Sequence, residues 1–399
     1  MRQNLSGPKL TLVLCLAEIT AMTPFATFPA MIPFFFDHWS LTGSDAGWIN
    51  SVFFIGFTLF GPVVTSMTDR IDARRVFLLG SFLAIIGAFG FAYLAHDFYS
   101  ALPWRFISGA ALGCTYMPGL KALTDRLPAG DQSRFIAFYT ASFSTGSAVS
   151  FLLIGQVHLW FGWEEALVSA MLGPPISLAL TYIFTRPKAL EQPRAWAQIF
   201  NYLPVLRNRF SMGYIIAYTC HTWELVTMRS FMMAFLAFSH MLTSAPVWMD
   251  VSTITAIAVF VGLPASVLGN ELSLKIGRQR AITLVVLACL CVSLSIGFMA
   301  SLPFIIVVVM SVLYGFLIAA DSSSLTAGSV GSARPEFRGA TMAVHSFLGF
   351  SGGIVGPVVA GAVLDHSGGP TSITAWGLLF VSMGAVTLIA PFALRLTRK

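Results

Sequence analysis

Hydrophobic residues run through this chain in twelve long stretches, at 10–36, 46–67, 76–95, 100–124, 135–157, 163–185, 210–238, 250–273, 281–300, 303–329, 340–363 and 372–394. Each reaches the ~20 residues that a helix needs to cross the hydrocarbon of a bilayer. The pattern predicts an all-α membrane protein of twelve transmembrane helices, called spans 1 to 12 below. The connections are short except at 186–209, which holds Pro187, Pro193 and Pro204 with Arg186, Lys188, Arg194, Arg207 and Arg209. That segment reads as a linker. The expected organisation is a six-helix half at 1–185, a linker at 186–209 and a second six-helix half at 210–399.

Composition agrees with the pattern. Hydrophobic residues make up 56% of the 399 positions and charged residues only 10%, against about 25% charged in soluble domains. So few charges could not cover the surface of a soluble protein of this length. The first stretch is too long for a signal-peptide core, contains Glu18 and several prolines, and is expected to stay as a spanning helix. The net charge of +6 is a matter of topology, not of nucleic acid: three of the 23 basic residues lie within spans, and the other 20 fall on one set of alternate loops and the termini. The loops at 37–45, 96–99, 158–162, 239–249, 301–302 and 364–371 contain none. By the positive-inside bias both termini are cytoplasmic, in a bacterial-style inner membrane.

Charges deep inside the apolar stretches fall only on spans 1, 4, 7 and 10: Glu18, Arg105 and Lys121, Glu224 and Arg229, and Asp321. A charge in hydrocarbon costs at least a few kcal/mol and normally faces a bundle interior or a wet cavity. Their recurrence on every third span implies four symmetry-related helices around one cavity. The halves also repeat: Leu102-Pro103 and Leu302-Pro303 open spans 4 and 10, and Lys121 and Asp321 each follow 18 residues after the proline. Arg134 and Arg338 occupy matching loops, and Asp69-Arg70-Ile71-Asp72-Ala73-Arg74-Arg75 is answered by Lys275-Ile276-Gly277-Arg278-Gln279-Arg280. Internal symmetry of this type marks secondary transporters.

These residues resemble the major facilitator superfamily over the whole chain. Asp69, Arg70, Arg74 and Arg75 match that family's G-x-x-x-D-R-x-G-R-R/K-R loop, with Thr65, Asp72 and Ala73 in place of two glycines and one basic residue. Arg105-x-x-x-Gly109-x-x-x-Gly113 on span 4 and Arg334-Pro335-Glu336-Phe337-Arg338-Gly339 before span 11 fit further family patterns. The resemblance implies two halves that rock about a central site. It also implies a cytoplasmic latch made by Asp69, Arg70, Arg74, Arg75, Arg134 and Arg338. One departure matters: span 5 reads Ser142 to Ser150 without the proline of the G-x-x-x-G-P motif of proton-driven drug exporters.

The candidate chemistry follows from residue type and depth. Glu18 and Glu224 are the candidate proton carriers, with His221 three residues before Glu224 as a possible relay partner. Arg105 and Arg229 offer forked, permanently charged donors suited to carboxylates or phosphates. Lys121 and Asp321, of opposite charge and near the cytoplasmic ends of their spans, are candidates for a gating ion pair. Each of these residues also has an ordinary reading as a bundle-internal hydrogen bond or a snorkelling side chain. Gly109, Gly113, Gly349, Gly352, Gly353 and Gly356 read as sites of close helix packing. The five histidines in loops (His38, His96, His158, His240 and His366) and the cysteines Cys15, Cys114, Cys220, Cys289 and Cys291 show no metal-ligand or disulfide spacing.

No nucleotide-binding or hydrolytic motif stands in a suitable context. The expectation is therefore a monomeric secondary transporter, not an enzyme, with no cofactor and no metal. Its partners are the lipid bilayer, protons and a small solute. The favoured solute is an organic anion taken up with protons. Proton-driven export of amphipathic drugs or metabolites is the alternative, and a transport-dead membrane sensor a remote one.

Overall fold

The computed structural model describes residues 5–127, 132–189, 202–244, 249–334 and 337–397, and among these it contains helices and turns but no strand. Ten helices, taken across their short breaks, are long and apolar enough to cross a membrane. Spans 2 and 3 are Gly43–Met67 and Ala73–Tyr93, span 5 is Gln132–Phe161, and span 6 is Trp163–Phe184. Spans 7 to 9 are Arg209–Thr243, Val251–Ile276 and Arg278–Met299. Spans 10 to 12 are Phe304–Gly331, Arg338–His366 and Ile373–Thr397. The other two predicted stretches are helical as well. Span 4, Phe98–Thr124, is continuous but polar for its length, since it carries Arg105 and Lys121. Span 1 is broken: Gly7–Ala21 is helical, 22–28 is a run of turns, and helix resumes through Pro29–Met31 and Ile32–His38. The twelve-helix pattern read from the sequence is thus the pattern of the fold.

Side-chain caps start several spans and supply acceptors for amides that the first turn leaves open. Asp97 and Ser100 form a reciprocal capping box at span 4. Asn208, Asp250 and Ser372 cap spans 7, 8 and 12. Prolines stand at or near the breaks in spans 1, 6 and 8. Pro24 and Pro29 cannot donate an N–H; Pro24 falls in the unwound part of span 1 and Pro29 opens the helix that follows it. Span 6 is interrupted just before Pro174 and Pro175, and span 8 at Val261, three residues before Pro264. Span 10 breaks at Ala320–Asp321, where no proline stands.

The chain forms two compact units. One comprises 1–27 and 55–200, the other 28–54 and 201–399. The end of span 1 and the start of span 2 therefore belong with spans 7 to 12, and not with the rest of their own half of the sequence. Within that second unit, Asp365 at the end of span 11 accepts hydrogen bonds from the Gly43 and Ser44 amides at 2.6 and 2.8 Å and from the Ser44 hydroxyl at 2.6 Å. Side chains at Gly43, Gly47 or Gly361 would collide with backbone or Asp365 atoms of the facing helix. Glycine alone lets spans 2 and 11 come this close. The span 11 glycines Gly349, Gly352, Gly353 and Gly356 pack in the same way on span 7, and Thr219 and Thr222 donate across that seam to the Leu348 and Gly349 carbonyls.

In the first unit, Leu10, Leu14, Leu123, Leu127 and Tyr139 make a buried apolar cluster between spans 1, 4 and 5. In the second, Tyr214, Ala217, Cys220, Ile282, Val286, Leu325, Ala390 and Leu394 do the same between spans 7, 9, 10 and 12. Large apolar side chains such as Phe82, Val267, Leu268 and Leu274 are exposed on helix faces, which is where lipid takes the place of a protein neighbour.

Candidate functional site

Glu18 is fully enclosed on span 1, at 0% exposure. Its Oε2 lies 3.3 Å from the hydroxyl of Tyr139 on span 5, and its Oε1 has no hydrogen-bond partner among the described residues. Tyr139, itself fully buried, also reaches the Thr115 carbonyl of span 4 at 3.2 Å. The second unit repeats the motif with different helices. Glu224 on span 7, 3% exposed, accepts a 2.8 Å hydrogen bond at Oε1 from the buried hydroxyl of Tyr314 on span 10. The two glutamates occupy the first helix of each half of the sequence. Among the described residues, neither has a basic group within ion-pair distance. A carboxyl enclosed without a cation is one that can take up and release a proton, because holding it permanently ionised in an apolar bundle is costly.

His221 does not pair with Glu224, although three residues separate them on one helix. Its Nδ1 sits 2.7 Å from Asp321 Oδ1. The alignment falls short of a hydrogen bond, and His221 Nε2 has no partner among the described residues. The break in span 10 explains how Asp321 gets there. It stands at the N-cap of Ser322–Gly331 yet makes no capping bond, which leaves its carboxylate for His221. Around this pair lie two side chains that the sequence reading did not single out. Tyr218, one turn before His221, stacks on His345 of span 11 with ring centroids 4.0 Å apart, and on His221 at 5.3 Å. His345, 3% exposed, shares a hydrogen bond with Thr326 at 3.2 Å. Its signal in the sequence is plain in retrospect: with His221 it is one of the two histidines that lie inside an apolar stretch.

The two arginines differ in surroundings. Arg105 is 2% exposed, and its guanidinium makes long hydrogen bonds of 3.3–3.5 Å to the Pro24 and Phe25 carbonyls and Thr27 Oγ1, beneath the Phe91 ring. All three acceptors lie in the run of turns that interrupts span 1, where the Pro24 carbonyl also accepts from the Thr27 hydroxyl at 2.9 Å. Ser150 and Thr23 complete the bracing, through Ala26 N–H to Ser150 Oγ at 2.9 Å, Ser150 to the Thr23 carbonyl at 2.6 Å, and Thr23 to the Ala170 carbonyl at 2.7 Å. Arg229 is 7% exposed and within electrostatic reach of Tyr218 on its own helix.

Lys121 lies 3.7 Å from Asp69 and 3.1 Å from Asp125. Arg74 is turned back onto the end of span 6, donating to the Thr185 carbonyl and hydroxyl and the Tyr182 carbonyl at 2.9–3.1 Å. Arg70 is half-buried, while Arg75 and Arg338 are exposed. The side chain of Arg134 lies outside the described residues. The centre of this loop is a residue absent from the expected latch. Asp72 accepts from Arg126 at 2.8 and 2.9 Å, from Lys188 N–H at 2.8 Å and from Arg74 N–H at 3.1 Å. Burial acts against its ionised form, but the Arg126 and backbone hydrogen bonds outweigh that and hold its carboxyl below the usual range.

The pattern of the Major Facilitator Superfamily matches residues 14–357, most of the chain. The chain belongs to the Major Facilitator Superfamily. Among curated members it is similar to a hexuronate transporter of Bacillus subtilis (strain 168), 22% identical over 387 residues that span 90% of this chain and 89% of that protein. It is also similar to the niacin transporter NiaP of Acinetobacter baylyi, 29% identical over 128 residues, a match confined to 32% of this chain and 29% of the relative. Among solved structures the nucleoside transporter NupG superposes with a TM-score of 0.71 at 15% identity, covering 97% of this chain and 98% of that one. A bacterial homologue of the human lysosomal transporter Spinster gives 0.71 at 16% identity, covering 98% and 96%. The buried carboxyls, the broken spans and the loop around Asp72 thus sit in a facilitator-type transporter of small solutes.

Proposed function

We propose that this chain takes up a small organic anion together with protons by alternating access, its two six-helix halves rocking about a central site. The observation that carries the reading is the pair of enclosed glutamates, Glu18 and Glu224, each beside a tyrosine hydroxyl and, among the described residues, without a basic group at ion-pair distance. Such groups can load a proton on one side of the membrane and release it on the other. His221 and Asp321 stand in contact beside Tyr218. Arg229 provides a fixed positive charge for an anion, while Arg105 braces the turns of span 1. Hexuronate and niacin, the solutes named for two relatives, are both small carboxylic acids, which supports an anionic substrate. The loop charges Asp69, Arg70, Arg74, Arg75, Arg134 and Arg338, with Lys121 and Asp321, set the balance between conformations.

The test uses purified protein in proteoliposomes with an internal pH indicator and a panel of small carboxylates. One of them is expected to acidify the lumen as it enters, and Glu18→Gln or Glu224→Gln to abolish the proton signal. Acidification driven by amphipathic cations and indifferent to carboxylates would overturn the reading in favour of export chemistry.

A further inference from the structure

Tyr139 has one hydroxyl proton and two acceptors, Glu18 Oε2 at 3.3 Å and the Thr115 carbonyl at 3.2 Å. It can donate to one of them at a time. We propose that Tyr139 is the positioning residue of Glu18, donating to its carboxylate when Glu18 is ionised and turning to the Thr115 carbonyl when Glu18 is protonated. The inference rests on the reading of Glu18 as a proton carrier, and it names the group through which the proton is felt elsewhere in the bundle. Glu18 Oε1 is enclosed without a well-aligned hydrogen bond among the described residues, and the Thr115 side chain is the other polar group at this carboxyl.

Span 4 is built to receive the hydroxyl. Gly119 faces it, and a methyl group there would collide with Tyr139 Oη and with the Phe77 ring. Any side chain at 119 would therefore push the hydroxyl away from both acceptors. Pro118, one residue earlier, supplies no amide to the carbonyl four residues before it, so the helix ladder is already incomplete at this level. The proton on span 1 is thereby reported to the backbone of span 4 next to the proline that interrupts its hydrogen-bond ladder, through a side chain of span 5. Tyr314, at 2.8 Å from Glu224, sits close against its carboxyl oxygen instead.

Few other ionisable groups compete for this role. Cys15 lies one turn before Glu18 on the same helix and is half-buried. Tyr116 of span 4 stacks on Tyr139 with centroids 6.4 Å apart. The segment of span 6 packed on span 1, Gly173–Phe184, carries Tyr182, which is exposed. Lys9 is exposed at the start of span 1, and Lys121 is engaged by Asp69 and Asp125.

The experiment is an infrared pH titration of the full chain in lipid nanodiscs, with ring-labelled tyrosine. The Glu18 carboxyl band, identified by its loss in Glu18→Gln, is expected to titrate in step with a change in one tyrosine C–O band. In Tyr139→Phe the carboxyl midpoint should move about one pH unit toward alkaline, the worth of one hydrogen bond to an ionised acceptor. Gly119→Ala should move it the same way. A midpoint unmoved in both variants would overturn the assignment, as would a tyrosine band that stays constant in the wild type. The wild-type band decides the matter even where Tyr139→Phe does not fold. Solute uptake indifferent to pH, with the infrared shift intact, would overturn proton coupling while leaving the Tyr139 assignment standing.

Discussion

Asp72 accepts hydrogen bonds from a guanidinium and two backbone amides, and through them joins the loop after span 2 to Arg126 and to Lys188 beyond span 6. Removing its charge strands donors that are largely shut off from water, a loss of roughly 1–3 kcal/mol. Asp72→Asn should therefore lower the thermal unfolding midpoint of the purified protein at neutral pH. Because its carboxyl is held below the usual range, the contribution is complete above the ordinary carboxylate value of about 4. It is lost as pH falls through the lower, folded value. The gap in midpoint between wild type and Asp72→Asn should accordingly close in acid, and a gap that stays constant down to pH 3 would contradict this role. Arg105 supports a second prediction at this scale. If it serves the unwound carbonyls of span 1, Arg105→Lys lowers thermal stability with or without solute, since one ammonium cannot reproduce the fork. Normal stability with lost solute binding would make Arg105 a substrate ligand instead.

At the scale of helices, the contact between spans 2 and 11 is the most specific. Gly43 and Gly47 meet Pro357 and Gly361, and Asp365 closes the seam by capping the first amides of span 2. Carboxylate caps of this type contribute about 0.5–2 kcal/mol. Asp365→Ala should therefore accelerate amide hydrogen exchange at residues 43–46, measured by mass spectrometry in nanodiscs. Exchange unchanged there would show that the amides find water or another acceptor. The sequence announced helices of this length and number because hydrocarbon demands continuous apolar helix, and the basic loops marked their alternation. It did not announce the cap: Asp365 beside His366 reads as a solvated loop pair until the chain is folded. The unwinding of span 1 was foreshadowed only by its prolines. The partners of Glu18 and Glu224 were hidden for a related reason. A tyrosine in an apolar stretch looks like any other core aromatic, so Tyr139 and Tyr314 carried no mark of their own. Helical spacing placed His221 beside Glu224, but the break at Asp321 brought a carboxylate from another helix, which no periodicity along one segment can foresee.

For the whole molecule, the charged residues on spans 1, 4, 7 and 10 were legible as a set, and their division of labour was not. The glutamates are enclosed by tyrosines, Arg105 supports a broken helix, Lys121 is tied to Asp69 and Asp125, and Asp321 is held by His221. The proposed proton coupling rests on the two glutamates in that division. The most direct test is accumulation against a gradient. Proteoliposomes are loaded with a carboxylate that the chain transports at the same concentration on both sides, and a pH gradient, acidic outside, is then imposed. Proton coupling predicts net uphill entry of the carboxylate, collapsing on addition of a protonophore and absent in Glu18→Gln. Carboxylate levels that stay equal on both sides, with exchange of labelled solute still intact, would show a transporter that moves its solute without protons and would contradict the central claim.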